Sequence, residues 1–139
     1  MPNWITNVIT IKTKQPKSIL EQLFTGDRFD FNKLIPQPLT KQECPRDCYN
    51  TPDSHIEEDE ERPWFDWYHW NNKYWGTKWG ACDTDYNIEG NKIIISFETA
   101  WAPPMPILKK LKELFKNSIT FKCYEEWGDL IVWARYSDL

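Results

Sequence analysis

Long apolar runs are missing from this sequence. None approaches the ~20 residues of a membrane-spanning helix. Residues 1–15 also lack the apolar stretch of a secretory signal. A cytoplasmic protein is therefore expected, and its four cysteines, Cys44, Cys48, Cys82 and Cys123, are expected as reduced thiols. Glycine is scarce, at 5 residues in 139. No Walker loop, dinucleotide fingerprint, nucleophile elbow or zinc-protease helix occurs, so the common catalytic signatures are absent. Positive charge does not prevail either. Lys and Arg number 17 against 21 Asp and Glu, for a net charge of −4. That balance argues against a generic grip on nucleic acid, which needs clustered cations to displace counterions.

Aromatic residues are abundant instead: 9 Trp, 7 Phe and 6 Tyr make up 16% of the chain. Each buried ring removes ~150–250 Å² from water. Such a chain either builds a large-ringed core or displays rings on its surface. Its length suits one domain.

Residues 5–12 are rich in β-branched side chains and predict a strand. Residues 14–24 predict a helix, with Ile19, Leu20, Leu23 and Phe24 at helical spacing and Gly26 placed to end it. Residues 29–35 alternate and predict a short strand before Pro36 and Pro38. Residues 36–62 hold four prolines and few apolar groups and predict a loop or partly ordered insertion. Residues 63–75 predict a helix with rings on all sides, begun by Pro63 and ended by Gly76. Residues 83–101 predict a β-hairpin turning at Glu89-Gly90-Asn91, with Ile93, Ile95, Phe97, Thr99 and Trp101 on one face. Ile107, Leu108, Leu111, Leu114 and Phe115 predict an amphipathic helix with Lys109, Lys110, Lys112 and Lys116 outside. Strands at 119–125 and 130–137 close the chain around a turn at Glu126-Trp127-Gly128-Asp129.

This order predicts an α+β, ferredoxin-like fold: a mainly antiparallel sheet with two helices on one face. The whole chain, 1–139, forms that single domain. Residues 36–80 form an insertion within it, made of the acidic loop and the Trp-rich helix.

Three strings stand out in that order: Met1-Pro-Asn-Trp4 with Asn7, then Trp75-Gly-Thr-Lys-Trp-Gly-Ala-Cys82, then Phe97-Glu-Thr-Ala-Trp-Ala-Pro-Pro104. With them the chain resembles the YubB ferredoxin-like domain family of phages, plasmids and other mobile elements, over most of its length except residues 39–62. The pattern departs from that family at Ile5, where cysteine is frequent, and at Gly80, where a polar residue is frequent. The resemblance implies a ferredoxin-like fold and a mobile-element setting rather than a reaction. Physically, Trp75, Trp79 and Trp101 can form an aromatic cluster packed by Pro103 and Pro104. The same string either welds the insertion helix to the sheet or lines a recognition groove with Lys78, Trp79, Asp83 and Asp85.

Catalytic and metal-binding candidates are thin. Cys44-x-x-x-Cys48 with His55 offers three zinc ligands but no fourth, and ordinary loop thiols beside a solvated histidine are the expectation. Asp83 and Asp85, two apart on a strand, point to one face and could hold a divalent cation or share a proton. No catalytic residue, metal or cofactor is expected. The sharper feature is the acidic run Glu57, Glu58, Asp59, Glu60 and Glu61, followed by Trp64, Trp67 and Trp70. Five carboxylates beside Asp53 can mimic phosphates and enter a basic groove built for nucleic acid. The expected function is therefore a non-catalytic phage or mobile-element accessory protein. It would bind a host protein and inhibit a nucleic-acid-dependent defence nuclease, such as a CRISPR effector. The alternative is a nucleic-acid or nucleotide module using the Trp79 groove and the lysines of 109–116. An acidic chain without the ring signature of an RNA-recognition motif makes nucleic acid the weaker expectation.

Overall fold

The computed structural model describes residues 3–126, 128 and 130–135. Strand β1, Trp4–Lys12, alternates with a period of two: Ile5, Asn7, Ile9 and Ile11 are buried, Trp4, Thr6, Val8 and Thr10 are half-exposed, and Lys12 is exposed. Strand β5, Lys92–Ala100, repeats that pattern with Ile93, Ile95, Phe97 and Thr99. Strand β6, Ile119–Tyr124, repeats it with Ile119, Phe121 and Cys123. These three strands form the centre of a five-stranded sheet. Strand β4, Cys82–Glu89, and strand β7, Leu130–Arg135, flank them in the order β4-β5-β1-β6-β7. All neighbours are antiparallel.

Helix α1, Pro16–Leu23, and helix α3, Met105–Phe115, bury Ile19, Leu23, Ile107, Leu108 and Leu111 in the same core as the inward strand residues. The strand–helix–strand order around β6-β1-β5-β4 is the ferredoxin-like plan, extended by β7. It is α+β with a mainly antiparallel sheet, as the patterning predicts. The opposite sheet face carries Thr6, Val8, Thr10, Ile94, Ser96 and Lys122 and is half-exposed or exposed. Among the described residues no helix is long and apolar enough to cross a membrane.

Several boundaries differ from the expectation. Helix α1 ends at Leu23, because Phe24 is already extended. Gly26, at φ +65°, turns the two-residue strands β2, Phe24–Thr25, and β3, Arg28–Phe29. The strand expected at 29–35 is cut short at Phe29, because the Asp30 carboxylate accepts from Asn32 N–H and starts a 3₁₀ turn at Phe31–Lys33. Helix α2 runs Trp67–Tyr74, capped by Asp66 accepting from His69 N–H, and does not begin at Pro63. Pro63 and Trp64 instead form a turn closed by the Phe65 N–H to the Arg62 carbonyl at 2.9 Å, and Phe65 bridges to Tyr49. Met1 and Pro2 of the first string, Trp127 and Asp129 of the last turn, and Tyr136 and Ser137 of the last expected strand lie outside the described residues.

The segment before α2 is not a loose loop. Thr40 and Glu43 form a capping box around the turn Lys41–Glu43. Cys44 and Cys48 are buried in the main core together with Phe65, Trp70 and Trp75. The Arg62 guanidinium donates to the Pro38 carbonyl and to Gln37 Oε1, and pairs with Asp59 at 2.8 Å. Small apolar contributions thus tie the insertion to the sheet core, where composition alone predicts a loop or partial order.

Candidate binding cleft

The Trp75–Cys82 string positions the site. Trp75 is buried; its ring meets Phe31 and Trp70 edge-on, and its Nε1 donates to the Ile35 carbonyl at 2.8 Å. Gly76 has φ +81°, and a Cβ there would stand 2.8 Å from Pro106 Cδ and 3.2 Å from Met105 N. Only glycine allows this approach of the loop to the start of α3. Thr77 Oγ1 donates to the Ala100 carbonyl at 2.6 Å, and Asn71 Nδ2 to the Lys78 carbonyl at 2.9 Å. The string therefore joins α2, the end of β5 and the start of α3. Trp79 emerges from that junction and stacks on Trp4, with ring centroids 6.1 Å apart. The Lys78 ammonium lies 4.4 Å from the Trp79 ring centroid and 5.9 Å from that of Tyr68.

Trp79 and the acidic segment meet. They line one cleft of about 250 Å³ formed by Glu57, Glu58, Asp59, Arg62, Trp67 and Trp79, together with Gln37 and Asn71. Trp67 Nε1 donates to the Glu57 carbonyl at 2.6 Å and so pins the acidic segment against α2. The five acids do not act alike. Asp59 is half-buried: its carboxylate caps the N–H groups of Glu61 and Arg62 and pairs with the Arg62 side chain. Glu57, Glu58, Glu60 and Glu61 are exposed, and only the first two line the cleft. Asp53 is also exposed.

The ring expectations divide in the same way. Trp67 lines the cleft. Trp64 is half-buried and leans on Phe65, with centroids 5.6 Å apart. Trp70, expected on the partner surface, is 4% exposed. It packs on Phe65, Tyr74 and Trp75 and is a core residue. The expected cluster of Trp75, Trp79 and Trp101 does not form. Trp75 is interior, Trp79 pairs with Trp4, and Trp101 is 58% exposed.

Trp101 does not continue the inward face of β5. Its φ is +74°, a left-handed conformation uncommon for a large side chain. Hydrogen bonds hold it there: Trp101 N–H to the Asn3 carbonyl at 2.7 Å, and Thr99 Oγ1 to the Ala102 carbonyl at 2.8 Å. Buried Asn7 supports Thr99 through Nδ2 at 3.0 Å. This network accounts for Asn7 and for the Thr-Ala-Trp-Ala string, and it turns an indole outward. Trp101 is not legible as a surface ring from periodicity, which assigns it inward.

Asp83 and Asp85 sit on an irregular part of β4. The register shifts between Cys82, opposite Glu98, and Asp85, opposite Ser96, and Asp83 has φ +47°. Both acids are exposed, but they lie on the sheet rather than in the cleft lining. Burial, followed by a hydrogen bond and repulsion from Asp83, raises the Glu98 carboxyl above its ordinary value, with a further push from Glu126. Glu98 is the acid that sequence spacing misses, because its partner lies across a bulge.

Nothing at the cysteines favours nucleophilic chemistry. Burial raises all four thiols; Cys48 and Cys123 are each pushed up to about 12. A thiol without thiolate character is a poor nucleophile. His55 is exposed on its loop, as a solvated histidine is expected to be, and the candidate set Cys44, Cys48 and His55 is not the one the fold assembles. Asp47, Cys48 and His69 come together instead.

The sheet order and helix placement define a ferredoxin-like domain. Residues 74–132 match the family model described as the ferredoxin-like domain in Api92-like protein. That match spans β4, β5, α3, β6 and half of β7, to which β1 and α1 add the missing strand and helix of the plan. No curated protein and no solved structure matches the chain.

Proposed function

We propose that this chain is a non-catalytic binding module that docks a basic protein surface in the cleft between the acidic segment and Trp79. One observation carries the reading: Glu57 and Glu58 share a cleft with the indoles of Trp67 and Trp79. Carboxylates attract and orient an incoming Lys or Arg, while an indole face receives the cation and its apolar stem. Lys78 already sits on Trp79 in that manner. Indoles are also the side chains that dominate interface energetics.

A basic groove that holds nucleic acid is a partner surface of the right chemistry, since carboxylates compete with phosphates for its cations. On this reading the chain is an accessory protein of a mobile element that occupies such a groove on a host defence nuclease. The mobile-element setting rests on the YubB-like strings, and the mode rests on the cleft. Nucleobase stacking on Trp79 is the different-class alternative, which carboxylates in the same cleft oppose.

Indole fluorescence tests the two directly. Titration with an arginine-rich peptide is expected to quench the wild-type signal, with affinity falling in Trp79→Ala and in the Glu57→Gln, Glu58→Gln double variant. Saturable binding of a single-stranded oligonucleotide, with no response to the peptide, would overturn the proposal.

A further inference from the structure

A second cluster lies outside the cleft lining, where a 3₁₀ turn meets α2. The turn Arg46–Cys48 presents Asp47 and Cys48 to one face of α2, where His69 and Lys73 stand one helical turn apart. Asp47 Oδ1 lies 3.7 Å from Cys48 Sγ, and Asp47 Oδ2 lies 3.5 Å from His69 Nε2. One donor atom from each of the three residues falls within 4.8 Å of the others. In a tetrahedral zinc site, metal–ligand bonds of about 2.0–2.3 Å place ligand atoms about 3.3–3.7 Å apart. The two separations run to different Asp47 oxygens, and the 4.8 Å bound on all three donors leaves only small side-chain rotations to bring them around one centre.

We propose that Asp47, Cys48 and His69 form a site for a borderline divalent cation, zinc above all, with water completing the tetrahedron. The donor set selects the metal. A thiolate with an imidazole suits zinc or cobalt and disfavours magnesium and calcium, which prefer oxygen ligands alone.

A cation already answers this carboxylate. The Lys73 ammonium lies 2.6 Å from Asp47 Oδ2. Both side chains are about half exposed, at 48% and 47%, so Lys73 can swing into water. As the metal–sulfur bond forms, the Cys48 S–H bond breaks and its proton passes to solvent, while Lys73 leaves Asp47. Bound metal then replaces a single-point ion pair by three ligand bonds. It staples the turn at 46–48, which is buried at Cys48, to the helix that presents Trp67. His55 takes no part.

Cobalt(II) reports on this site because thiolate ligation adds a sulfur-to-metal charge-transfer band in the near ultraviolet. One equivalent of cobalt is expected to produce that band, and zinc is expected to abolish it. His69→Gln should weaken binding by more than about 10-fold, since even indirect partners of a ligand contribute 10–100-fold. Lys73→Gln should tighten binding several-fold by removing the competing cation. Cys82→Ser, outside the cluster, should leave the band intact and controls for adventitious binding. Absence of the band at one equivalent would overturn the proposal. So would a band unaffected by His69→Gln, or weaker binding in Lys73→Gln. Circular dichroism of each variant separates these outcomes from misfolding.

Discussion

Gly76→Ala is the sharpest test of how the Trp-Gly-Thr-Lys-Trp string holds the molecule together through geometry alone. Gly76 sits at φ +81°, and an added Cβ would lie 2.8 Å from Pro106 Cδ, 3.2 Å from Met105 N and 3.5 Å from the Pro103 carbonyl. Two costs arise. A left-handed backbone penalises any side chain by ~1–2 kcal/mol. The clash adds an overpacking cost of ~1–3 kcal/mol, because a proline ring and a main-chain nitrogen cannot rotate away. The expected loss is therefore about 2–5 kcal/mol. Gly26 is the internal control. Its φ is +65°, but nothing lies within 4 Å of the place a methyl group would take. Gly26→Ala should show the backbone cost alone, ~1–2 kcal/mol. Urea melts of the wild type and both variants measure the difference, with unchanged slopes indicating the same unfolding reaction. Equal losses for the two variants would refute the close approach of the loop to α3.

Burial and charge set three further outcomes. Leu111 is fully buried, so Leu111→Ala should cost ~2–5 kcal/mol in the same melt, and a loss below ~1 would remove α3 from the core. Trp70→Ala should cost ~3–5 kcal/mol, and a near-neutral effect would restore Trp70 to the surface. The raised Glu98 carboxyl favours its protonated form in the fold, so its contribution to stability is present below its ordinary range and is lost as pH rises through the raised value. Glu98→Gln should therefore melt higher than wild type near neutral pH and converge with it in acid; a lower melting temperature at neutral pH would contradict the repulsion from Asp83.

Much of the sheet is legible in the sequence because period-two alternation in β1, β5 and β6 is uninterrupted, and α3 because its apolar stripe has helical period. The insertion resists for a physical reason. Rings occur on every side of α2, so spacing cannot say that Trp70 turns inward while Trp67 faces the acidic segment. Local signals place the helix onset at Pro63 because the bridge between Tyr49 and Phe65 is a long-range pairing. The acidic run reads as uniform, yet Asp59 is consumed by capping and by Arg62. Strand alternation assigns Trp101 inward because it cannot foresee the turn held by Thr99 and Asn7. Sequence proximity groups Cys48 with His55, whereas the fold brings His69 to it from 21 positions along the chain.

One cleft joins an acidic rim to indole rings, and its proposed role is to receive a basic protein segment. Stopped-flow kinetics with an arginine-rich peptide tests that role most directly, because carboxylates and indoles act on different rates. Neutralising Glu57 and Glu58 to Gln should slow association at low salt, by about 10-fold or more, and flatten its salt dependence. Trp79→Ala should leave association nearly unchanged and speed dissociation by roughly 30-fold, the equivalent of a ~2 kcal/mol hot spot. Association that is indifferent to the two carboxylates at low salt, with dissociation indifferent to Trp79, would contradict this role for the cleft.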